Sequence, residues 1–195
     1  MRVNEIFYSL QGEGYNTGKA AVFVRLSGCN LKCPFCDTDF SSYEEMSVNE
    51  IVSKVMEIGG SCKLVVITGG EPTIQDCYPL IEVLHLNGYE VAMESNGTRR
   101  APFIVDYLTI SPKTDFVDGI SGMVTQKHCF ELKLVFDGKR EPRTYGIEAE
   151  HYYLQPCDTG NEEENKAIMQ QCVEFIKKNP KWRLSLQTQK ILNVR

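Results

Sequence analysis

The chain has no apolar run approaching the roughly 18–20 residues that a membrane-spanning helix needs, so no helical span is expected. Its opening, "MRVNEIFYSL", lacks the basic and apolar regions of a secretory signal, and a cytoplasmic location is the expectation. Basic residues are in deficit. With 21 Lys and Arg against 26 Asp and Glu, the net charge of -5 argues against a broad electrostatic footprint for nucleic acid. Internal repeats, low-complexity tracts and Pro/Gly/Ser linkers long enough to divide the chain are also missing. At 195 residues and 42% hydrophobic content, one domain spanning 1–195 is expected.

Cysteine, by contrast, is plentiful, with eight in all. Cys62, Cys77, Cys129, Cys157 and Cys172 are scattered without the spacing of a disulfide framework and are expected as free thiols. The other three, Cys29, Cys33 and Cys36, fall together in "GCNLKCPFCDTDF". A structural zinc site takes four ligands, usually as two separated knuckles, and no CxxC or HxxxH partner follows. Three thiolates instead suit a four-iron cluster in which one iron is left for another ligand. The spacing alone is only suggestive; its place in the chain matters more.

Short β-branched runs alternate with stretches of helical period, as expected of an α/β fold built from parallel βα units. Strands are expected near "AAVFVRL", "KLVVI", "EVAM", "YLTI", "FELKLVF", "HYYL" and "WRLSL". A first helix should begin at Ser47, where Ser47 and Glu50 form a capping box, and end at Gly59 and Gly60. A second is expected from about Ile74 to Leu86 and a third from Glu162 to Lys178, before Pro180. Periodicity does not separate an open doubly wound sheet from a barrel.

In either architecture ligands bind beyond the carboxyl ends of the strands. The loops expected there are the cysteine loop, "TGGEP", "ESNGT", "SPK", "QPCD" and "QTQK". Glycines 69 and 70 can bring backbone close to a ligand, although two glycines and a proline also make an ordinary turn. Glu94, Ser95 and Asn96 read equally well as a turn around Gly97. Asp158 reads as a helix cap as readily as a ligand contact. "LQGEG" could do no more than cap a hairpin. Arg25, inward on its strand, needs an anion.

The CxxxCxxC spacing of Cys29, Cys33 and Cys36 resembles the cluster motif of the radical S-adenosylmethionine (SAM) superfamily. Within it, "SLQGEG", "VFVRLSGCNLKCPFCDTDF", "TGGEP", "SPK", "QPCD" and "LSLQTQK" together resemble the 7-carboxy-7-deazaguanine synthase family nearly end to end. The resemblance implies a single-domain, shortened partial (β/α) barrel and a carbon–nitrogen lyase. Such an enzyme converts 6-carboxy-5,6,7,8-tetrahydropterin into 7-carboxy-7-deazaguanine with loss of ammonia, on the queuosine precursor pathway. It implies a 4Fe–4S cluster on the three cysteines, with SAM on the open iron, and Mg2+ on Thr38. SAM would be held by Phe35, Cys36, Asp37, Gly70, Ser111, Pro112, Lys113, Gln155, Pro156, Cys157 and Asp158. The pterin would be held by Leu10, Gln11, Gly12, Arg25, Thr68 and Arg195. A homodimer and an electron donor such as a flavodoxin or ferredoxin are further implications.

Two features stand apart from that pattern. The tail phrase more often reads "QTHK" in the family, and Gln189 stands in this chain where the His would be. The extension after it is expected to fold over the rim on Ile191, Leu192 and Val194. The rival readings are a glycyl-radical activase, which would show a groove for another protein, and a non-enzymatic iron–sulfur module, which would leave the rim motifs without a role.

Overall fold

The computed structural model describes residues 1–36, 38–39, 42–117 and 124–194. The chain opens with a hairpin of β1 (Arg2–Leu10) and β2 (Ala20–Leu26), with a two-residue β3 (Glu44–Glu45) on the outer edge of β1. Then follow α1 (Val48–Gly59), β4 (Leu64–Gly69), α2 (Tyr78–Leu86), β5 (Glu90–Ser95) and β6 (Tyr107–Ile110). The second half holds β7 (His128–Phe136), β8 (Glu148–Pro156), α3 (Glu162–Lys178), β9 (Trp182–Leu184) and α4 (Thr188–Leu192).

The nine strands of the described residues form one sheet in the order β3-β1-β2-β4-β5-β6-β7-β8-β9. From β2 onward every neighbouring pair is parallel. Apart from the two-residue edge strand β3, spatial order follows chain order, so the winding of the parallel strands never reverses, which rules out the doubly wound alternative. No pairing joins β9 to the β3 edge among the described residues, so the architecture is a partial barrel.

The helices form where local sequence directs them. Ser47 accepts from the Glu50 amide while the Glu50 carboxylate takes the Ser47 amide, the expected capping box. Ile51, Val52 and Val55 are the buried face of α1. The second helix differs from expectation: a 3-10 turn at Pro72–Ile74 ends, Gln75 is extended, and α2 begins afresh at Tyr78. Pro79 is the reason, since a proline lacks the amide that a continuing helix would use and is tolerated only in a first turn. In α3 Asn161 caps the start, three glutamates occupy the first turn, and Lys177 and Lys178 the last. No described helix is long and apolar enough to cross a membrane.

The outer faces of the parallel strands, including Val24, Ile67, Met93, Ile110 and Leu132, pack with Ile51, Leu80, Leu84 and Ile168 in the main core. A second cluster of Phe7, Ala21, Phe23, Leu64, Val66 and Ala92 lies on the other face. Toward the carboxyl ends, the inner positions turn polar. Register places Arg25 beside Thr68, Glu94 beside Thr109, Thr109 beside Glu131, and Val135 beside Gln155. With a side-chain period of two, all of these project into the lumen.

Candidate active site

The lumen holds a cavity of about 870 Å³, large enough for two small molecules side by side. Its floor comes from an unexpected direction. The "LQGEG" loop joins β1 to β2 and crosses the lumen instead of merely capping the hairpin. Gly14 N donates to Ser185 Oγ just past β9 (3.0 Å), and Tyr15 N donates to Glu131 Oε2 on β7 (2.7 Å). The amino-terminal end of an open barrel is sealed this way. Gly14 is required there, for it has φ +64° and a side chain would meet the Glu131 carboxylate.

On this floor lies a buried polar network. Lys133 Nζ sits 2.5 Å from Glu13 Oε2 and 3.7 Å from Glu94 Oε1. Gln11 Nε2 and Thr68 Oγ1 donate to the two oxygens of Glu94 (3.2 and 3.1 Å), while Gln187 and Gln189 donate to Glu13 Oε1 (3.0 and 3.3 Å). Burial alone would raise the Glu13 carboxyl; the Lys133 charge and these hydrogen bonds outweigh it and hold the pKa at about 2. Burial opposes the Lys133 charge, but Glu13, Glu94 and Glu131 prevail and raise its pKa above the ordinary lysine value. Gln189 Oε1 is buried with no hydrogen-bond partner among the described residues.

The rim is built from the cysteine loop and the loops it touches. Gly70 N and Glu71 N donate to the carbonyls of Leu26 and Gly28 (3.1 and 2.9 Å), stitching "TGGEP" to the root of the cysteine loop. A Cβ on Gly70 would fall 2.0 Å from the Gly28 carbonyl oxygen, so only glycine fits. The Glu71 side chain does not face the cavity. It is buried and takes Thr73, Ser95 and the Asn96 amide, locking "TGGEP" to "ESNGT". Ser95 and Asn96 therefore serve as more than turn formers.

Cys29, Cys33, Cys36 and Phe35 line the cavity mouth, as do Gly70, Ser111, Lys113, Gln155, Pro156, Cys157 and Asp158. Leu10, Gln11, Gly12, Arg25, Thr38 and Thr68 line the same cavity. Pro112 is buried behind the lining, and Asp37 and Arg195 lie outside the described residues. The anion Arg25 requires is in the protein itself: Glu5 Oε1 on β1, 2.8 Å from Arg25 Nε. Arg25 Nη1 also donates to Thr38 Oγ1 at 3.4 Å. Asp158 does not cap α3; it accepts from Gly160 N, Asn165 and Lys190 (3.0, 2.9 and 3.0 Å).

The site was incompletely visible in the sequence. Lys133 and the Glu94 carboxylate were missed as floor residues, although "FELKLVF" places Glu131 and Lys133 two apart between leucines, and inward charges on a buried strand require partners. The tail is also held otherwise than expected. Ile191, Leu192 and Val194 are exposed, and the contacts are polar, from Thr188 N and Oγ1 to the Gly12 carbonyl (3.1 and 2.9 Å) and from Lys190 to Asp158.

The sequence model of the radical SAM superfamily matches residues 23–119, from β2 through the segment after β6. A 7-carboxy-7-deazaguanine synthase of Bacteroides thetaiotaomicron is 44% identical over 100% of this chain and 98% of its own. That of Haemophilus influenzae is 39% identical over 97% of this chain and 92% of its own. The chain belongs to the 7-carboxy-7-deazaguanine synthase family. It is similar in structure to QueE from Escherichia coli, with a TM-score of 0.74 and 26% identity over 95% of this chain and 92% of that one. As a radical SAM enzyme of this family, with the lyase class its name carries, it takes a 4Fe–4S cluster and SAM as cofactors.

The residues present suit these groups. Cys29, Cys33 and Cys36 put three soft sulfur donors of one loop on the cavity lining, the donor set that such a cluster takes. Cys33 feels the charges of Cys29 and Cys36, and burial pushes the Cys29 and Cys33 thiols up. Cys157, its thiol pushed up by burial and then by the charges of Asp137, Asp158 and Glu164, follows the end of β8 and is not on the cysteine loop. All eight cysteines are free, and the scattered five form no disulfide. Lys113, lowered to about 8 by burial with Lys133 adding, donates to Ser111 O at 2.9 Å and to its hydroxyl. It forms no ion pair with a described carboxylate, so a half-buried cation on the cavity lining is left to suit an incoming carboxylate.

Proposed function

We propose that this chain converts 6-carboxy-5,6,7,8-tetrahydropterin into 7-carboxy-7-deazaguanine with loss of ammonia. The observation that carries the reading is one cavity joining a three-cysteine mouth to a floor of fixed donors and acceptors. Cys29, Cys33 and Cys36 would hold the cluster and leave one iron for SAM, which together supply a carbon-centred radical able to remove a substrate hydrogen.

The chain's own side chains bind and orient. Lys113 and Ser111 suit the amino-acid end of SAM, and Gly70, Gln155, Pro156, Cys157 and Asp158 shape the space beside them. Phe35, held edge-on by Phe116 at 5.0 Å, stiffens the cysteine loop between two of its thiols. On the floor Glu94 and the unpartnered Gln189 Oε1 offer acceptors to the N–H edge of a pterin, while Gln11 offers an amide. Arg25, paired with Glu5 through Nε, still has Nη donors that suit the substrate carboxylate. Thr38 would give one oxygen to a magnesium ion whose remaining ligands come from substrate and water, as that ion prefers. A homodimer and a low-potential electron donor complete the proposal.

Anaerobic reconstitution with iron and sulfide, followed by reduction with SAM, magnesium and the pterin, tests it. Deazaguanine product with SAM regenerated is expected. SAM cleavage with no deazaguanine would overturn the substrate, and no cleavage at all would overturn the radical chemistry.

A further inference from the structure

We infer that the connection between β7 and β8 is a clamp on the cysteine loop, with Arg140 and Arg143 as positioning residues that act through Phe116 and Asp115 of the segment after β6. The inference rests on the radical SAM reading above, because it concerns how that loop presents its second and third thiols, Cys33 and Cys36.

The two halves of the cysteine loop are held differently. Asn30 Nδ2 donates to Thr98 Oγ1 at 2.8 Å, Asn96 Nδ2 donates to Asn30 Oδ1 at 3.0 Å, and Leu31 is buried, so Cys29 sits on a fixed base. Among the described residues, the hydrogen bonds of residues 33–36 stay local: Cys36 N donates to the Cys33 carbonyl at 3.2 Å and Cys36 Sγ to the Thr38 carbonyl at 3.7 Å. Phe35 carries this half to the rest of the rim, its ring perpendicular to that of Phe116 with centres 5.0 Å apart.

Phe116 is itself backed. The Arg140 guanidinium lies 4.5 Å from the centre of its ring, and Asp137 holds Arg140 by accepting both its amide, at 2.9 Å, and its side chain. One residue earlier, Asp115 takes Arg143 Nε at 3.1 Å, a second Arg143 nitrogen, and the Tyr145 hydroxyl at 2.7 Å. Tyr145 makes this contact from φ +56°, a left-handed conformation that bulky residues rarely adopt, so the contact is held against a backbone cost. An edge-on ring pair, a cation over a ring and a forked arginine–carboxylate pair each have a preferred geometry, and together they set where Phe35 lies.

Asp115, Phe116, Arg140, Arg143 and Tyr145 stand behind the cavity lining, whereas Phe35, Cys33 and Lys113 are part of it. The Phe116 amide donates to the Lys113 carbonyl at 3.0 Å, so the same clamp fixes the backbone of the lining cation. Binding groups keep a productive geometry when residues behind them are locked in this way.

The test uses the full-length chain and its R140Q, R143Q, F116L and R140K variants. Before iron loading, iodoacetamide labelling of each thiol is timed by peptide mass spectrometry, with the fully buried Cys77 and Cys172 reporting any opening of the whole fold. Labelling of Cys33 relative to Cys29 should rise about fivefold in R140Q, R143Q and F116L, and R140K, which keeps the cation, should stay within about twofold of wild type. After reconstitution the KM for SAM should rise about fivefold in the same three variants with kcat within about twofold. An unchanged labelling ratio would overturn the clamp. So would a rise shared by Cys77 and Cys172 in R140Q and R143Q, whose side chains are exposed, since the effect would then be general destabilisation. Should F116L alone open the fold, R140Q and R143Q decide. A raised ratio with an unchanged KM for SAM would overturn the clamp's part in the site. Because labelling is read without iron or SAM, a wild type that cleaves no SAM would sink the radical reading and leave the ratio to decide the clamp.

Discussion

Lys133 Nζ lies 2.5 Å from Glu13 Oε2 across the floor of the lumen, joining a strand in the second half of the sheet to the loop of the first hairpin. The pair closes an open barrel and arms its cavity together. Glu13 reaches Lys133 only because the loop crosses the lumen, and Lys133 tolerates burial only because Glu13 and Glu94 face it.

Replacing Lys133 by Met should therefore cost about 3–5 kcal/mol in urea unfolding, because it strands buried carboxylates without a cation. The pH dependence follows from Glu13. Its folded pKa of about 2 lies below the ordinary 4.5, so its stabilisation is complete above about 4.5 and is lost as the pH falls toward about 2. The stability gap between wild type and Glu13→Gln should shrink over that window. A gap independent of pH would show that the pair is not ionised as the geometry requires.

Cys29→Ala, Cys33→Ala or Cys36→Ala should abolish stable iron loading, whereas Cys157→Ala, on the same cavity but outside the trio, should retain it. Iron content and cluster absorbance after reconstitution decide this. Full loading in Cys29→Ala, or loss in Cys157→Ala, would reassign the ligands.

Thr38→Ala should weaken the response to magnesium and slow turnover while leaving iron loading and substrate-free SAM cleavage intact. It removes a hydroxyl that also accepts from Arg25 at 3.4 Å, so part of the effect should appear as weaker pterin binding. Identical magnesium titrations for variant and wild type would remove Thr38 from the metal.

How far these features could be read from the sequence depended on the range of the interaction behind each. The capping box of α1 and the Glu162-to-Lys178 span of α3 rest on contacts within a few residues, and they stood out. β1 did not, because half of its meaning lies in β2: Phe7 stacks on Phe23 at 4.9 Å and Glu5 neutralises Arg25, partners reachable only through the ladder. Missing β1 is what left Arg25 without its anion. The rim motifs were visible because glycines and cysteines are unusual residues at unusual spacings. The floor was not, because Glu13, Glu94 and Lys133 are ordinary residues more than 38 positions apart that gain their significance from one meeting point.

The last prediction concerns Gly12, where loop and tail meet. A Cβ built there falls 1.7 Å from Gln189 Oε1 and 2.8 Å from Gln189 N. The side chain could swing aside, but the backbone nitrogen belongs to α4, which is held to the Gly12 carbonyl by Thr188. Gly12→Ala should therefore push α4 outward and cost about 1–3 kcal/mol, the usual range for overpacking. The displacement also withdraws the Gln187 and Gln189 amides from Glu13 and the free Gln189 oxygen from the cavity. Loss of one or two such hydrogen bonds should raise the KM for pterin about tenfold. Iron loading, on the opposite rim, should not change. Adding Gln189→Ala relieves only the side-chain clash, so the double variant should recover part of the stability and none of the pterin affinity. Gly12→Ala with wild-type KM would separate the tail from the substrate, and complete rescue by Gln189→Ala would place the whole clash in the side chain.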